Sequence, residues 1–251
     1  MSGHSKWANI KHKKARTDAA KGRIFTKMAR EIMVAAKAGG GDPNGNFRLK
    51  IAIDNAKAAN LPGDNIQRAI QKGVGGGDDA IYEELRYEGY APGGVAVMVD
   101  IMTDNRNRAA GEVRHLFAKN GGNLGETGCV GWLFREKGQI TVSRAECDWT
   151  EDDFLMAALE AGAEEVETDD DSFEVFTAAA ELEPVRAALL QAGIKPAQAG
   201  LNLVPETKVE ISDVEQAKKI IKLIDALDEH DDAQNVYTNF ELADSLNPAE
   251  L

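Results

Sequence analysis

The residue types best suited to chemistry in this chain are cations, and they crowd its first forty positions. Between Met1 and the Gly39-Gly40-Gly41 run stand Lys6, Trp7, Lys11, His12, Lys13, Lys14, Arg16, Lys21, Arg23, Lys27, Arg30 and Lys37, against two acids, Asp18 and Glu31. Lysine and arginine in such a run neutralise phosphates and release their counterions. Trp7 among them can stack on a base or sugar, or it can anchor the arm to its own domain. His4 and His12 suit hydrogen-bonding or weakly cationic contacts better than catalysis or metal binding. A second set, Arg106, Arg108 and Arg114, opens a predicted helix beside Asn105 and Asn107. Free amides at a helix N-terminus and bidentate guanidinium groups both suit phosphate. The plainer reading is a cap with surface charge. Replacing Arg106 and Arg108 with alanine is expected to weaken nucleic-acid binding and leave the fold intact. If about five or six phosphates are contacted, log K should fall against log salt with a slope of about -5.

The charge balance says where such contacts belong. Residues 1–72 hold 15 Lys+Arg against 5 acids, a net of +10, within a 251-residue chain whose net is -13. The remainder carries 14 basic and 37 acidic residues, a net of -23. An acidic body discourages indiscriminate coating of polyanions and confines contact to the basic end. Enzymatic readings find little support: HExxH, GxSxG and the P-loop pattern are all missing from the sequence. The runs Glu151-Asp152-Asp153, Asp169-Asp170-Asp171 and Asp228-Glu229-His230-Asp231-Asp232 can be drawn as magnesium sites of a nuclease. Acids at element ends are far more often solvated caps and turns. Cys129 and Cys147 form no CxxC and have no neighbouring His pair, so no zinc site is expected and both thiols are read as reduced. No apolar run reaches the roughly 18–20 residues that span a bilayer, and the N-terminus lacks the apolar core of a secretory signal. The expectation is a cytoplasmic protein without cofactor, metal, membrane partner or small-molecule substrate.

The elements that must position these residues follow from periodicity. Residues 17–38 read as an amphipathic helix, with Ile24, Met28, Ile32 and Ala35 on one stripe and Arg23, Lys27, Arg30 and Lys37 opposite, presenting a row of cations. Further helices are predicted from Phe47 to Ala59 and from Pro62 or Asp64 onward, followed by a glycine linker at 73–79. Beyond it the period changes to strands at 85–90 and 95–101. A helix capped by Thr103 or Asp104 comes next, then a strand at 129–134 and a turn at Lys137-Gly138. Residues 139–204 alternate as strand, helix, strand, strand, helix, strand, the βαββαβ order of a ferredoxin-like unit. The tail reads as a strand at 208–211, a helix capped by Ser212 or Asp213, and a strand at 235–240. Its partners are not local, and completing the sheet begun at 83–134 would leave 135–205 as an insertion.

Four stretches carry a resemblance: Gly3-His4-Ser5-Lys6-Trp7-Ala8-Asn9-Ile10-Lys11-His12, Tyr87-Glu88-Gly89-Tyr90-Ala91-Pro92-Gly93-Gly94, Thr103-Asp104-Asn105-Arg106-Asn107-Arg108 and Lys119-Asn120-Gly121-Gly122-Asn123-Leu124-Gly125. In this order they resemble the YebC/PmpR family of probable transcriptional regulatory proteins, which has mitochondrial translational activators among its relatives. The resemblance spans essentially the whole chain. It implies an α+β protein: an N-terminal helical bundle (1–75) and two ferredoxin-like α+β domains, one discontinuous (80–134 plus 206–245) and one inserted in it (135–205). It also implies a nucleic-acid-binding regulator, with duplex DNA as the first expectation. Ribosomal RNA is the alternative, in a ribosome-associated factor that helps synthesis of proline-rich stretches. The absence of a recognisable helix-turn-helix or zinc finger favours that alternative. A third reading, from a different class, is an acidic protein-interaction module that binds no nucleic acid.

Overall fold

The computed structural model describes residues 18–75, 82–169, 171–243 and 245–246, with side chains from Lys21 onward. The chain is α+β, with helices first and sheet domains after them. The predicted arm residues Lys6, Trp7, Lys11, His12, Lys13, Lys14 and Arg16 lie outside the described residues. Contacts group the described chain into two compact units. One takes residues up to Arg30 with 77–135 and 204–251, and the other takes 31–76 with 136–203. Helix α1 (Asp18–Gly39) contributes its first half to one unit and its second half to the other.

The first unit contains β1 (Glu83–Tyr90), β2 (Ala96–Thr103), α4 (Arg106–Lys119), β3 (Asn123–Leu124), β8 (Val209–Ile211), α7 (Val214–Asp228), β9 (Ala233–Thr238) and β10 (Phe240–Leu242). β1 and β2 pair antiparallel from Glu83↔Thr103 to Tyr90↔Ala96. The turn between them needs Gly93 and Gly94, whose φ values of 80° and 77° penalise any side chain. The sheet order is β3-β1-β2-β9, and β8 pairs separately and in parallel with β10. Val97, Val99 and Ile101 share one face of β2. They bury against Val113 and Phe117 of α4 and Ile220, Leu223, Ile224 and Leu227 of α7. The cap of α4 is Asn105, not Thr103 or Asp104, because its Oδ1 accepts from the Arg108 amide at 3.1 Å.

The second unit contains α2 (Phe47–Ala58), α3 (Gly63–Val74), β4 (Phe134–Ser143) from residue 136 on, α5 (Glu151–Glu160), β5 (Glu165–Thr168), β6 (Ser172–Ala178), α6 (Leu182–Gln191) and β7 (Gln198–Pro205) up to residue 203. Strand order β5-β6-β4-β7 is that of the ferredoxin-like βαββαβ unit. Ile140, Val142, Phe173 and Val175 face Phe154 and Leu189 in its core, where Phe154 and Phe173 stack at 4.0 Å between ring centroids. Two expectations change here. The strand predicted at 129–134 is a 3-10 turn at Gly131–Leu133, and β4 begins only at Phe134. Lys137-Gly138 is no turn but the interior of β4, opposite Ala178 and Thr177. A Cβ on Gly138 would collide with Thr177 Oγ and lie 2.9 Å from Leu182 Cβ, so this glycine serves close approach rather than chain reversal.

Candidate nucleic-acid interface

Three of the four cations that periodicity placed on an open face of α1, Arg23, Lys27 and Arg30, are tied down within the first unit, while Lys37 is exposed. Arg23 Nη2 lies 3.2 Å from Glu229 Oε1. Lys27 Nζ donates to the Asp228 carbonyl at 2.7 Å and sits 3.5 Å from its carboxylate. Arg30 Nη1 donates to the Asp231 carbonyl at 2.7 Å and to the Met102 carbonyl at 3.2 Å, lies 3.6 Å from Asp232, and its guanidinium stacks over Tyr82. The stretch Asp228–Asp232, read from sequence as solvated acids, is thus the counter-surface of the basic helix. Its position follows from α7, whose apolar stripe fixes the helix on the sheet and leaves its C-terminal end beside α1. His230 is wired in as well: its Nδ1 accepts from the Asp232 amide at 3.2 Å and its Nε2 contacts Glu112 at 2.8 Å.

Asp232 is the hub. Its carboxylate, 7% exposed, accepts from Arg108 Nη2 at 2.6 Å and from the Thr103 hydroxyl at 2.8 Å. Burial pushes its pKa up, but the Thr103 bond and the charges of Arg108 and Arg30 outweigh this and hold it below the usual carboxylate range. Arg108 also pairs with Asp104 at 3.1 Å. The expectation that Arg108 can be removed with the fold intact therefore meets an ion pair that joins α4 to the 228–232 loop.

Ion pairs recur in the second unit. Arg48 binds Glu31 through two bonds of 2.7 and 3.1 Å, and Lys50 binds Glu183 at 2.6 Å. Burial raises the pKa of Glu183, yet its bonds from Lys50 and Arg186 bring it net downward. Arg186 also binds Asp54, while Asn55 exchanges two hydrogen bonds with the Ala199 backbone at 2.7 and 3.0 Å. These contacts fasten α2 to the ferredoxin-like layer.

Among the described residues, Arg106 and Arg114 keep exposed side chains with no ion pair, two turns apart on α4. Lys57, Arg68 and Lys72 are equally exposed and without an ion pair on α2 and α3. Arg68 and Lys72 stand four residues apart, on one face of their helix. They were not among the expected site residues. Their signal in the sequence was their position in the basic region, outside any recognisable motif. Lys21, also expected, is exposed at the start of α1.

The Tyr87–Gly94 motif turns out to hold a loop. Glu88, 6% exposed, accepts from the amides of Gly128, Val130 and Gly131 at 2.8, 2.9 and 2.7 Å. Burial works against its charge, and the three amides together with Arg86 overcome it, leaving the pKa lowered. Tyr90 donates its hydroxyl to the Cys129 carbonyl at 3.0 Å, and Trp132, 68% exposed, donates its indole N–H to the same oxygen at 3.2 Å. Burial and the nearby Glu88 charge push the Cys129 thiol up, away from reactive thiolate. Among the described residues, no group of three or more His, Cys, Asp or Glu side chains is placed to hold a metal ion. No described helix is long and apolar enough to cross a membrane.

Comparison with known proteins bears on this arrangement. Residues 82–240 match the model described as TACO1/YebC second and third domain, and residues 5–76 match the TACO1/YebC protein N-terminal domain. The chain belongs to the TACO1/YebC family. A relative from Desulfitobacterium hafniense, named probable transcriptional regulatory protein, is 64% identical over 251 residues, all of both chains. One of the same name from Desulforamulus reducens is 57% identical, covering 96% of this chain and 99% of that one. The crystal structure of a conserved hypothetical protein from Aquifex aeolicus superposes with a TM-score of 0.87 at 47% identity, over 92% of this chain and 94% of that one. Its relatives' names place this TACO1/YebC protein among regulators of gene expression in general terms.

Proposed function

We propose that this protein binds nucleic acid through its basic N-terminal region and regulates transcription on duplex DNA, acting by binding and not by catalysis. The supporting observation is the charge segregation: 15 basic and 5 acidic residues in positions 1–72, ahead of a remainder with a net charge of -23. In this reading the arm from Lys6 to Arg16 makes the main contact. Arg106 and Arg114 add phosphate contacts, and Arg23, Lys27 and Arg30 of α1 are occupied by the 228–232 loop and take no part. The chain then works as three domains: a basic helical domain at 1–75, a discontinuous α+β domain at 80–134 and 206–245, and an insertion at 135–205.

One observation favours RNA at the ribosome as the second reading. Exposed cations without an ion pair among the described residues are scattered over α1, α2, α3, α4 and α7, Lys37, Lys57, Arg68, Arg106 and Lys222 among them. That pattern suits phosphate contacts blind to sequence better than base readout by one inserted helix. The test is fluorescence anisotropy of the full chain on a labelled duplex and on a labelled RNA hairpin at one fixed salt concentration, beside sedimentation of lysate with and without mild nuclease. Tighter duplex binding, with preference among sequences, is the expected result. Sequence-blind duplex binding with nuclease-sensitive co-sedimentation with ribosomes would replace the first reading by the second. Failure to bind either nucleic acid would remove both.

A further inference from the structure

The inserted ferredoxin-like unit carries a surface that its own fold does not use. Helices α5 and α6 bury one stripe each, Phe154 and Ala158 on α5 and Leu182, Val185 and Leu189 on α6. On α5 a second stripe, Asp153, Met156, Ala157, Glu160 and Ala161, runs along an open groove of about 680 Å³ between the two helices. Ala188 of α6 and Ala192 just past its end line the other side, and Trp149 stands just before the N-terminal end of α5. Met156 is 58% exposed and Trp149 37%, although both are among the more costly side chains to leave in water. Small residues let another backbone approach closely, while a thioether and an indole supply adaptable anchoring area.

Charge selects the occupant. The groove lining includes Asp148, Asp153 and Glu160 and no basic residue. The surrounding segment 136–203 holds 16 acidic against 4 basic residues, a net of -12, nearly the whole charge of the chain. Asp148 and Glu160 have no ion pair among the described residues, and Asp153 spends one oxygen on the Thr150 hydroxyl at 2.7 Å. A polyanion is repelled here, and an uncharged apolar helix would leave the acids without compensation. We infer that this groove docks a cationic amphipathic helix of a protein partner. Its apolar face lies on Met156 and the alanines, and its lysines or arginines meet Asp148, Asp153 and Glu160. The length of α5, 10 residues or about 15 Å at 1.5 Å per residue, matches about three turns of such a helix. This surface is separate from the nucleic-acid reading and gives the acidic insertion a role of its own.

The test uses the full-length protein and a fluorescein-labelled 14-residue amphipathic Leu/Lys helix, with a scrambled peptide of equal composition and no apolar face. Anisotropy at low salt should show saturable binding of the amphipathic peptide at least tenfold tighter than the scrambled one. Asp148→Lys with Glu160→Lys should weaken it tenfold or more, and so should Met156→Ser alone, with circular dichroism unchanged because all three side chains are exposed. Equal binding of the two peptides, or unaltered binding by both variants, would overturn the inference. Sedimentation velocity across a concentration series covers the remaining occupant. Self-association that disappears in the Asp148→Lys, Glu160→Lys variant would assign the groove to a second copy and overturn the partner assignment.

Discussion

The state of the cations can be tested by how many counterions binding releases. Seven of the expected contact residues are described in the structure, and Arg23, Lys27, Arg30 and Arg108 among them are engaged with acids or carbonyls of the same unit. Arg106 and Arg114 are exposed and unpaired among the described residues. Each phosphate neutralised contributes about 0.9 to the slope of log K on log salt. Replacing Arg106 and Arg114 with alanine should therefore make the slope shallower by about 1.8, which corresponds to about 60-fold weaker binding at 0.1 M salt and about 20-fold at 0.2 M. Replacing Arg23 and Lys27 with alanine should leave the slope within about 0.5 of the parent and lower thermal stability instead, because what they lose are intramolecular partners. The assay is anisotropy on one labelled duplex and one labelled hairpin from 50 to 300 mM salt, with melting curves for each variant. An unchanged slope for the Arg106, Arg114 variant would refute the assignment of α4 as a contact surface. A slope reduced by about 1.8 in the Arg23, Lys27 variant would show that nucleic acid displaces the 228–232 loop, and would refute the view of those cations as held in place.

Glu88→Gln retains one oxygen for Val130 and Gly131 but turns an amide donor toward the Gly128 N–H. It should cost about 2–4 kcal/mol in urea unfolding and speed hydrogen exchange at Gly128 before other core amides; parent-like exchange there would contradict the role of the motif. Glu174 is held by Gln139 at 2.7 Å and Thr141 at 2.9 Å, yet burial above all, with Glu167 opposite, raises its pKa. A carboxyl raised in the folded state loses stability as pH rises through that folded value, so Glu174→Gln should increase the urea midpoint at pH 7 and lose this advantage toward pH 4; a lower midpoint at pH 7 would sink the argument. Asp232 has the opposite sign. Its lowered pKa supports the fold above the ordinary aspartate value and loses that support as pH falls through the folded value, below about 4. Asp232→Asn should thus destabilise at pH 7 and show a flatter decline between about pH 5 and pH 2, and a parallel decline would count against the hub.

Much of the architecture could be read from residues alone, because it rests on local rules. The apolar spacing of Ile220, Leu223, Ile224 and Leu227 with an Asp213 cap determines α7, and the observed helix Val214–Asp228 follows it. The βαββαβ order at 134–205 likewise follows from alternation and turn chemistry. Where reading failed, the deciding partner was distant. Gly138 resembles a turn until Thr177 and Leu182 are placed against it. The 129–134 segment resembles a strand until Glu88, about forty residues away, collects its amides.

The charge content of the chain is set by its composition: a basic first quarter and an acidic remainder. Which cations stay available is not a local property. An arginine on a helix has the same periodicity whether it faces water or a carboxylate, and the acids that claim Arg23, Lys27 and Arg30 lie about 200 residues further along the chain. Packing of α7 brings them together, and a buried carboxylate such as Asp232 keeps its charge only because Arg108, Arg30 and the Thr103 hydroxyl surround it.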